Sequence, residues 1–526
     1  MTAEMTQEIL KRRTFAIVSH PDAGKTTITE KFLWYGKVIR EAGHVRAKAN
    51  KKFTTSDWMK IEQQRGISVS SSVLSFPYQG CQINLVDTPG HQDFSEDTYR
   101  ALTAVDSVLV LLDAAKGVEP QTIKLMEVCS LRKCPVTVFI NKMDRDALDP
   151  VALMDEVERV LGLKCSPMTM PIGNGKFFQG VYSFANDNVH LFNPDVPEGE
   201  MRKVDGLDDP RLDEWFHPRY LAEFREQAEL VHGAMEPFNH EKYLRGELSP
   251  VYFGSGINNF GVKHLLDSFV AYAPSPMARQ AEQRMVEATE SNFTGFVFKI
   301  QANTDPKHRD RIAFMRVCSG KFLRGAKVIH CRTGRQVRLA APSTFLANDK
   351  TVVDEAYAGD IIGIHDPGLY NISDTISETE NLKFMGIPDF APEHFSRVYL
   401  EDPLKSKQLT QGLKQLSEEG ATQLFSPVNS PIPVLGVVGV LQFDVIKFRL
   451  EEEYNARCRL ESAPITMARW VTGEAVAVQE FKSQNMHDLA MDKGGNLVYL
   501  CPNEYRMTLM EKNFPKVTFS KFHTGN

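Results

Sequence analysis

Three short apolar runs, each followed by a polar loop, constrain the fold of this chain more than any other feature. The first run, Thr14–Val18, leads into SHPDAGKTT and then into a helix-forming stretch that ends near Gly36. The second run, CQINLVD, ends at Asp87 before TPGH, and the third, PVTVFI, leads into NKMD. Apolar, β-branched runs of this length favour strands, and strands that alternate with helices predict a parallel sheet. We therefore expect the three loops to meet at one edge of an α/β sheet.

The first loop is typical of a phosphate-binding loop, although serine stands where the pattern G-x-x-x-x-G-K-[ST] begins with glycine. That first glycine mainly permits a tight turn, whereas Gly24, which lets the backbone approach a phosphate, is present. N–H groups at a helix start attract phosphate, Lys25 adds a cation, and the Thr26 hydroxyl can bind Mg²⁺. The nucleotide-binding residues predicted in this loop are Ser19, His20, Pro21, Asp22, Ala23, Gly24, Lys25, Thr26 and Thr27.

The other two loops predict which nucleotide binds. Asp87 can hold the Mg²⁺ shell, and Gly90 can donate its N–H to a γ-phosphate. The Asp144 carboxylate can accept from N1–H and from the exocyclic amino group of guanine, two donors that adenine lacks, while the Asn141 amide matches the other edge of the base. Singly, Asp87 could cap a turn and NKMD could be an ordinary polar loop, but the three loops in this order predict a Mg²⁺-dependent GTP site. The predicted residues are Asp87, Thr88, Pro89, Gly90, His91, Asn141, Lys142, Met143 and Asp144.

Composition limits the class of protein that carries this site. With 526 residues, 42% of them hydrophobic and 24% charged, the chain is long enough for three or four domains. The longest apolar runs are strand-sized, and no apolar segment follows the basic residues near the amino terminus. We therefore expect a cytoplasmic protein with no membrane partner. The eight cysteines include no C-x-x-C pair, which predicts reduced core residues rather than a zinc site.

The charge is unevenly distributed along the chain. A net charge of -6 argues against a protein that coats nucleic acid, and we expect no DNA partner. The segment Lys307–Arg338 nevertheless holds ten basic residues and one acid, and Lys37–Arg65 holds eight basic residues and three acids. Both segments are consistent with solvated faces, or with contacts to RNA if the partner is rich in RNA.

The loop sequences H-x-D-A-G-K-T-T, DTPGH and NKMD resemble those of the translational GTPases. Members of the elongation factor G group commonly lack the first loop glycine as well. The stretch DWMKIEQQRGIS, residues 57–68, resembles the first switch of that group, with Ser68 where the usual R-G-I-T ends in threonine. The resemblance implies that Ser68 binds Mg²⁺ together with Thr26 and Asp87.

The same resemblance implies roles for residues in two other loops. His91 corresponds to the residue that orients the attacking water once such a factor docks on the ribosome, and the alternative is a surface histidine after a turn. The loop GSG, residues 254–256, resembles the last guanine-contacting loop of the family and adds Ser255 and Gly256 to the predicted site.

Three domains follow from the pattern along the chain. Residues 1–278 predict a P-loop GTPase domain of α/β class, closed by the linker AYAPSPMAR and carrying an inserted subdomain at about 150–250. Residues 290–384 alternate like the strands of a β-barrel. Residues 387–526 include β-α-β-β-α-β, which predicts an α+β, ferredoxin-like C-terminal domain with one or two further helices and strands after it. At helical spacing, Leu441, Val445, Phe448 and Tyr454 are expected in the core of that domain.

Over the whole chain, including FTGFVFKIQANTDPKHRDRIAFMRV and GIPDFAPE, the sequence resembles the peptide-chain release factor 3 family. Elongation factor G would need further domains for which no sequence remains after this unit. The resemblance implies a ribosome-stimulated GTPase in translation termination that promotes dissociation of stop-codon-reading release factors. Its partners would be those factors and the ribosome, through rRNA and ribosomal proteins. The alternatives are an elongation factor G-like GTPase without its distal domains, and a GTP-dependent ribosome binder that does not hydrolyse.

Overall fold

The structure, a computed structural model, describes residues 3–39, 62, 68–193, 200–302, 311–339, 342–346, 349–386 and 390–522. The amino-terminal domain begins with α1 (Ala3–Leu10), β1 (Arg12–Ser19), α2 (Lys25–Tyr35), β2 (Ser72–Tyr78), β3 (Cys81–Asp87), α3 (Ser95–Thr103), β4 (Ser107–Asp113), α4 (Pro120–Leu131), β5 (Val136–Asn141), α5 (Pro150–Leu161) and β6 (Cys165–Pro167). It continues with β7 (Thr169–Ile172), β8 (Gly180–Ser183), β9 (Asn188–Leu191), β10 (Glu200–Lys203), α6 (Arg211–Trp215), α7 (Pro218–Ala234), α8 (His240–Leu244), β11 (Ser249–Phe253) and α9 (Val262–Tyr272).

The main sheet of this domain has the strand order β2-β3-β1-β4-β5-β11-β6. Neighbouring strands are parallel except β2, which is antiparallel to β3. Alternate residues of β1 face two different cores: Phe15 and Ile17 pack with α2 and α9, while Ala16 and Val18 pack with α3, α4 and α5. Helices on both faces explain why β1, β4 and β5 are buried along almost their whole length. The predicted α/β class is confirmed.

The inserted part leaves the main sheet after β6. Strands β7 to β10 form a separate antiparallel sheet in the order β10-β9-β8-β7, and α7 packs against β7. The predicted start at about residue 150 is too early for this insertion, because α5 and β6 continue the main alternation and β6 pairs in parallel with β11.

The next domain is an open half-barrel. Its strands are β12 (Arg279–Gln280), β13 (Met285–Val286), β14 (Thr294–Ala302), β15 (Arg311–Ser319), β16 (Lys321–Leu323), β17 (Lys327–His330), β18 (Arg335–Arg338), β19 (Ser343–Leu346), β20 (Asp349–Val352), β21 (Glu355–Tyr357), β22 (Ile361–His365) and β23 (Thr375–Ser377). The sheet order is β18-β17-β23-β14-β15-β22-β19, and β19 also pairs with β2 of the amino-terminal domain. The β-rich second domain predicted from the alternating runs is therefore confirmed, as a sheet that continues into the first domain.

The C-terminal domain contains two similar units. Its elements are β24 (His394–Leu400), α10 (Ser406–Glu418), β25 (Gln423–Pro427), β26 (Val434–Val437), α11 (Leu441–Glu452), β27 (Cys458–Ser462), β28 (Met467–Gly473), α12 (Ala475–Gln484), β29 (Leu489–Met491), β30 (Leu497–Cys501), α13 (Glu504–Asn513) and β31 (Val517–Ser520). The first unit has the β-α-β-β-α-β order that the sequence predicts, with sheet order β27-β24-β26-β25. The second unit, β28 to β31, repeats that order, and pairing of β25 with β29 joins the two into one sheet of eight strands. The sequence predicts only one or two helices and strands here.

Three of the four apolar residues expected in the core of this domain lie elsewhere. Leu441, Val445 and Phe448 pack against Val69 and Phe94 of the amino-terminal domain, whereas Tyr454 does belong to the core of the first unit. The prediction is wrong for those three because α11 has two apolar faces. One face covers its own sheet and the other covers the neighbouring domain.

Within the described residues, no helix is both long and apolar enough to cross a membrane. All eight cysteines are free thiols; six are buried in the core, as predicted, and Cys81 and Cys134 are half-buried.

Candidate nucleotide-binding site

The predicted loops converge at the carboxyl edge of the main sheet. The first loop follows β1, the second follows β3, the third follows β5 and the GSG loop follows β11, and these four strands belong to one parallel set. The structure brings together the predicted residues Ser19, His20, Pro21, Asp22, Ala23, Gly24, Lys25, Thr26, Thr27, Asp87, Thr88, Pro89, Gly90, His91, Asn141, Lys142, Met143, Asp144, Ser255 and Gly256. Their roles toward a nucleotide stay predictions.

The first loop has the backbone geometry of a phosphate cradle. Gly24 caps α2 in a left-handed conformation with φ 102°, and a Cβ there would lie 2.2 Å from the Asn141 amide nitrogen. Glycine is therefore required at position 24. Thr26 and Thr27 lie half-buried in the first turn of α2, where N–H groups have no partner within the helix.

Serine in place of the first loop glycine has a structural reason. Ser19 is the last residue of β1, is 1% exposed and is not among the residues with positive φ. Position 19 is still extended backbone here, so it does not need a glycine. A Cβ on Gly90, in the second loop, would lie 3.4 Å from the Ser19 carbonyl oxygen and 3.4 Å from the Pro21 nitrogen, which shows how closely these loops pack.

A buried ion pair occupies the centre of the site. The Lys25 ammonium donates to the Asp87 carboxylate at 2.5 Å, and the two side chains are 7% and 2% exposed. The Thr88 hydroxyl donates to the Ile17 carbonyl oxygen at 2.7 Å and fixes the start of the second loop against β1. The described residues contain no cluster of three or more His, Cys, Asp or Glu side chains suited to a metal ion. A Mg²⁺ ion would therefore depend on hydroxyl groups, one carboxylate and phosphate oxygens, a hard oxygen set that this metal prefers.

His91 sits at the start of a short 3₁₀ turn, Gln92–Phe94. Its Nδ1 accepts a hydrogen bond from the Asp93 N–H at 3.2 Å, so in the neutral ring the proton is on Nε2. Nδ1 also lies 3.5 Å from the Asp93 carboxylate, and the side chain is 30% exposed. The ring is thus held through Nδ1, and Nε2 carries the N–H of the neutral ring.

Asp93 connects this turn to the C-terminal domain. Its carboxylate accepts a hydrogen bond at 2.7 Å from the N–H of Leu441, the first residue of α11. Gly439 packs directly against it, since a Cβ at that position would lie 2.3 Å from both Cα and Cβ of Asp93. The residue beside His91 therefore binds the positive end of a helix that belongs to another domain.

Asn141 holds three loops together. Its amide nitrogen donates to the Ala23 carbonyl at 2.8 Å, and its amide oxygen accepts from the N–H groups of Lys142 at 2.9 Å and Gly256 at 2.8 Å. These bonds hold the loops together. A contact between Asn141 and a guanine base stays a prediction. Lys142 continues the connection by donating to the Asp22 carbonyl oxygen at 2.5 Å.

Asp113, which sequence reasoning did not single out, is part of the same network. It accepts from the Lys142 ammonium at 2.7 Å. Burial opposes ionisation of Asp113, yet hydrogen bonds from Lys142 and the Ala115 N–H hold its pKa below the ordinary value. A sequence signal for Asp113 was available. The apolar run that forms β4 ends in this aspartate, just as β3 ends in Asp87. A second omission is Glu119, whose carboxylate lies 3.1 Å from His20 Nε2.

Asp144 offers an unused acceptor to a ligand. Its Oδ1 is buried and has no hydrogen-bond partner among the described residues. Met143 beside it is fully buried and donates its N–H to the Gly254 carbonyl oxygen. Since a buried acceptor without a partner is costly, this carboxylate fits a ligand that brings N–H donors, as guanine does.

Ser68 begins the described stretch that leads into β2. The other residues of 57–68 lie outside the described residues, apart from Glu62, whose carboxylate accepts from the Val69 N–H at 3.0 Å. Lys299 of the half-barrel domain donates to the Ser70 hydroxyl at 2.5 Å, and burial lowers the pKa of its ammonium. The predicted part of Ser68 in binding Mg²⁺ stays a prediction.

Comparison with known families agrees with this geometry. Residues 10–275, just over half of the chain, match the family described as the elongation factor Tu GTP binding domain. Residues 292–379 match elongation factor G domain 2, and residues 384–511 match the C-terminal domain of class II release factor RF3. The crystal structure of ttk003000868 from Thermus thermophilus is similar with a TM-score of 0.70 and 24% identity, over 88% of this chain and 70% of that one. At this identity the similarity supports the fold alone.

Proposed function

We propose that this chain, which belongs to the translational GTPase family defined by the elongation factor Tu GTP binding domain, hydrolyses GTP on the ribosome during translation termination. The proposal depends mainly on one observation: the same chain has a site compatible with guanine and a C-terminal domain of the class II release factor type. Its GTP-linked rearrangement promotes dissociation of stop-codon-reading release factors.

Each step of hydrolysis has residues suited to it. Gly24 and the following N–H groups bind the phosphates, Lys25 neutralises charge on them, and Asp144 selects guanine. Thr26, Ser68 and Asp87 would hold Mg²⁺, which when bound offsets charge on the phosphate oxygens. His91 orients the attacking water through Nε2, while the Asp93 N–H fixes the ring. Phosphoryl transfer depends mainly on positioning and charge, so we expect slow turnover until the ribosome completes this arrangement.

The contacts of Asp93 suggest how the state of the nucleotide reaches the C-terminal domain. Gly90, the predicted sensor of the γ-phosphate, lies three residues before Asp93, which binds the start of α11. Arg100 adds a second connection by donating to the Gly420 carbonyl oxygen at 3.2 Å. A shift of the second loop on hydrolysis therefore releases or re-forms bonds to the C-terminal domain.

A basic hairpin of the half-barrel domain is the proposed contact with rRNA. On β17 and β18, Lys327 pairs directly with Arg338, and both residues are exposed, as is Arg335. Like charges placed opposite each other destabilise an isolated hairpin. An RNA phosphate beside them would remove that repulsion, and binding through it would weaken as salt rises. Arg332 of the same hairpin is held by Asp374 and is less available.

A recycling assay tests the proposal against its alternatives. Ribosomes that carry a stop codon and a labelled, bound release factor are mixed with the chain and GTP. The proposal predicts faster loss of the label with GTP than with GDP or without the chain. An elongation factor G-like GTPase would turn over GTP without accelerating that loss. A binder that does not hydrolyse would give equal effects with GTP and a non-hydrolysable analogue, and no release of phosphate.

A further inference from the structure

A cavity lies between the amino-terminal and half-barrel domains, far from the nucleotide-binding site. It has a volume of about 380 Å³ and is bordered by the residues just before β4 and β5. The nucleotide loops follow the opposite, carboxyl ends of the parallel strands. Because a strand of seven residues spans roughly 23 Å, the two sites are separated by about the length of the strands.

The charge around this cavity is unbalanced. Asp106, which is fully buried, accepts from Arg279 at 2.9 Å and from Arg316 at 2.5 Å. Arg132 lines the cavity together with Arg279 and donates to the Leu102 carbonyl oxygen, whereas Arg316 lies behind the wall. In the described part of the wall, Asp106 is the one acidic side chain. Two guanidinium groups therefore share the Asp106 carboxylate, and the described residues give Arg132 a carbonyl partner but no carboxylate.

The protein environment makes this positive charge unfavourable. Burial, and next the charge of Arg279, lower the pKa of Arg132 to about 10. Buried charges without a counter-ion are costly, so the arrangement favours an anion that enters the cavity.

One donor in the wall has no partner. Arg279 is 9% exposed, and its terminal nitrogens donate to the carbonyl oxygens of Thr103 and Val105 and to Asp106. Its Nε is buried and has no hydrogen-bond partner among the described residues. A buried N–H without an acceptor is rare in folded proteins, and here it borders a space large enough for a ligand.

The half-barrel side of the wall is largely apolar. Met285, Phe296 and Phe384 of the half-barrel side line it, together with Met277 of the linker. The volume lies within the usual range of small-molecule sites, which combine apolar walls with a few placed polar groups.

We infer that this cavity binds a small organic anion with one phosphate or carboxylate group on an apolar body. The anionic group contacts Arg132 and the free Nε of Arg279, and the apolar body packs against Met285, Phe296 and Phe384. Such a ligand touches both domains, so it stabilises their contact. The inference rests on this cavity and is independent of the proposed role in termination.

Calorimetric titration of the full chain tests it, with Mg²⁺ and GDP in excess so that the nucleotide site is occupied. The probes are phenyl phosphate, benzoate, inorganic phosphate and uncharged benzyl alcohol. We expect phenyl phosphate or benzoate to bind at millimolar concentration or below, more tightly than inorganic phosphate, and benzyl alcohol not to bind. Binding of inorganic phosphate alone, or equal binding of the neutral probe, would overturn the inference.

Two variants locate the binding. Arg132→Met should weaken binding of the charged probe by about tenfold or more, because it removes a charge-assisted hydrogen bond. Ala278→Trp keeps all the arginines and fills the cavity from its half-buried edge, so it should abolish binding. Arg219→Met, on the exposed surface of α7, is the matched control and should leave binding of the probes unchanged. Unchanged affinity in Ala278→Trp would place the probe elsewhere.

Asp389 provides a last control, since it follows the wall residue Gly386 closely in sequence and lies outside the described residues. If the unmodified chain binds none of the probes and the Asp389→Asn variant does bind them, Asp389 already supplies the counter-ion for these arginines and the inference fails.

Discussion

The contact between Asp93 and the start of α11 leads to a sharp prediction for Gly439→Ala. The added Cβ would lie 2.3 Å from Asp93 Cα, where ordinary contact needs at least about 3.4 Å, so the two backbones must separate by about 1 Å. The neighbouring hydrogen bond from the Leu441 N–H to the Asp93 carboxylate, 2.7 Å long, then exceeds hydrogen-bonding distance.

The size of the effect follows from the kind of bond that is lost. A hydrogen bond to a charged group contributes about 1.5–3 kcal/mol, which corresponds to a factor of about 10 to 150 in an equilibrium. Hydrogen exchange followed by mass spectrometry measures the protection of the Leu441 amide directly. We expect exchange of that amide to accelerate by about this factor in Gly439→Ala, compared in the same nucleotide state.

Gly233→Ala is the matched control. Gly233 lies in α7, has no atom within 4 Å of an added Cβ and does not have a positive φ. The substitution should leave exchange at Leu441 unchanged and stabilise its own helix by up to about 1 kcal/mol. Exchange at Leu441 that is the same in Gly439→Ala and in the unmodified chain would refute the proposed connection between His91 and the C-terminal domain.

Three further predictions concern single residues. His91→Ala should leave GTP affinity near normal and reduce ribosome-dependent turnover by about a hundredfold or more, and unchanged turnover would remove His91 from the mechanism. Asp144→Asn should shift preference from GTP to xanthosine triphosphate, measured by competition binding, because xanthine has a carbonyl where guanine has its amino group. Burial, with the charge of His264, lowers the pKa of His190 from 6.5 to about 4. As the pH falls, His190 is therefore protonated in the unfolded chain before it is protonated in the folded chain. The free energy of unfolding decreases by up to about 3 kcal/mol between pH 6.5 and 4. Hydrogen exchange in β9 should accelerate over that range, and His190→Gln should remove most of this dependence.

Local sequence patterns predict most strands and loops of this chain because each is encoded within a few residues. The run TGFVFKIQA corresponds to β14, Thr294–Ala302, and the helix predicted to end near Gly36 ends at Tyr35. The phosphate-binding loop is similarly local, since its geometry depends on one glycine and the start of one helix.

Features that depend on contacts between distant segments were harder to predict. Both faces of α11 carry apolar residues, and the positions of Val69 and Phe94, far away in sequence, decide which one forms an interface. Asp113 acquires its role from Lys142, in the loop after the neighbouring strand β5. The second β-α-β-β-α-β unit has short strands such as Leu489–Met491, which are too brief to show a clear alternation.

GTP hydrolysis by the purified chain, alone and with purified ribosomes, tests the central claim most directly, with ATP as the parallel substrate. The account predicts Mg²⁺-dependent turnover of GTP and not of ATP, slow for the chain alone and faster by about a thousandfold with ribosomes. Equal turnover of both nucleotides, or a rate that ribosomes leave unchanged, would contradict it.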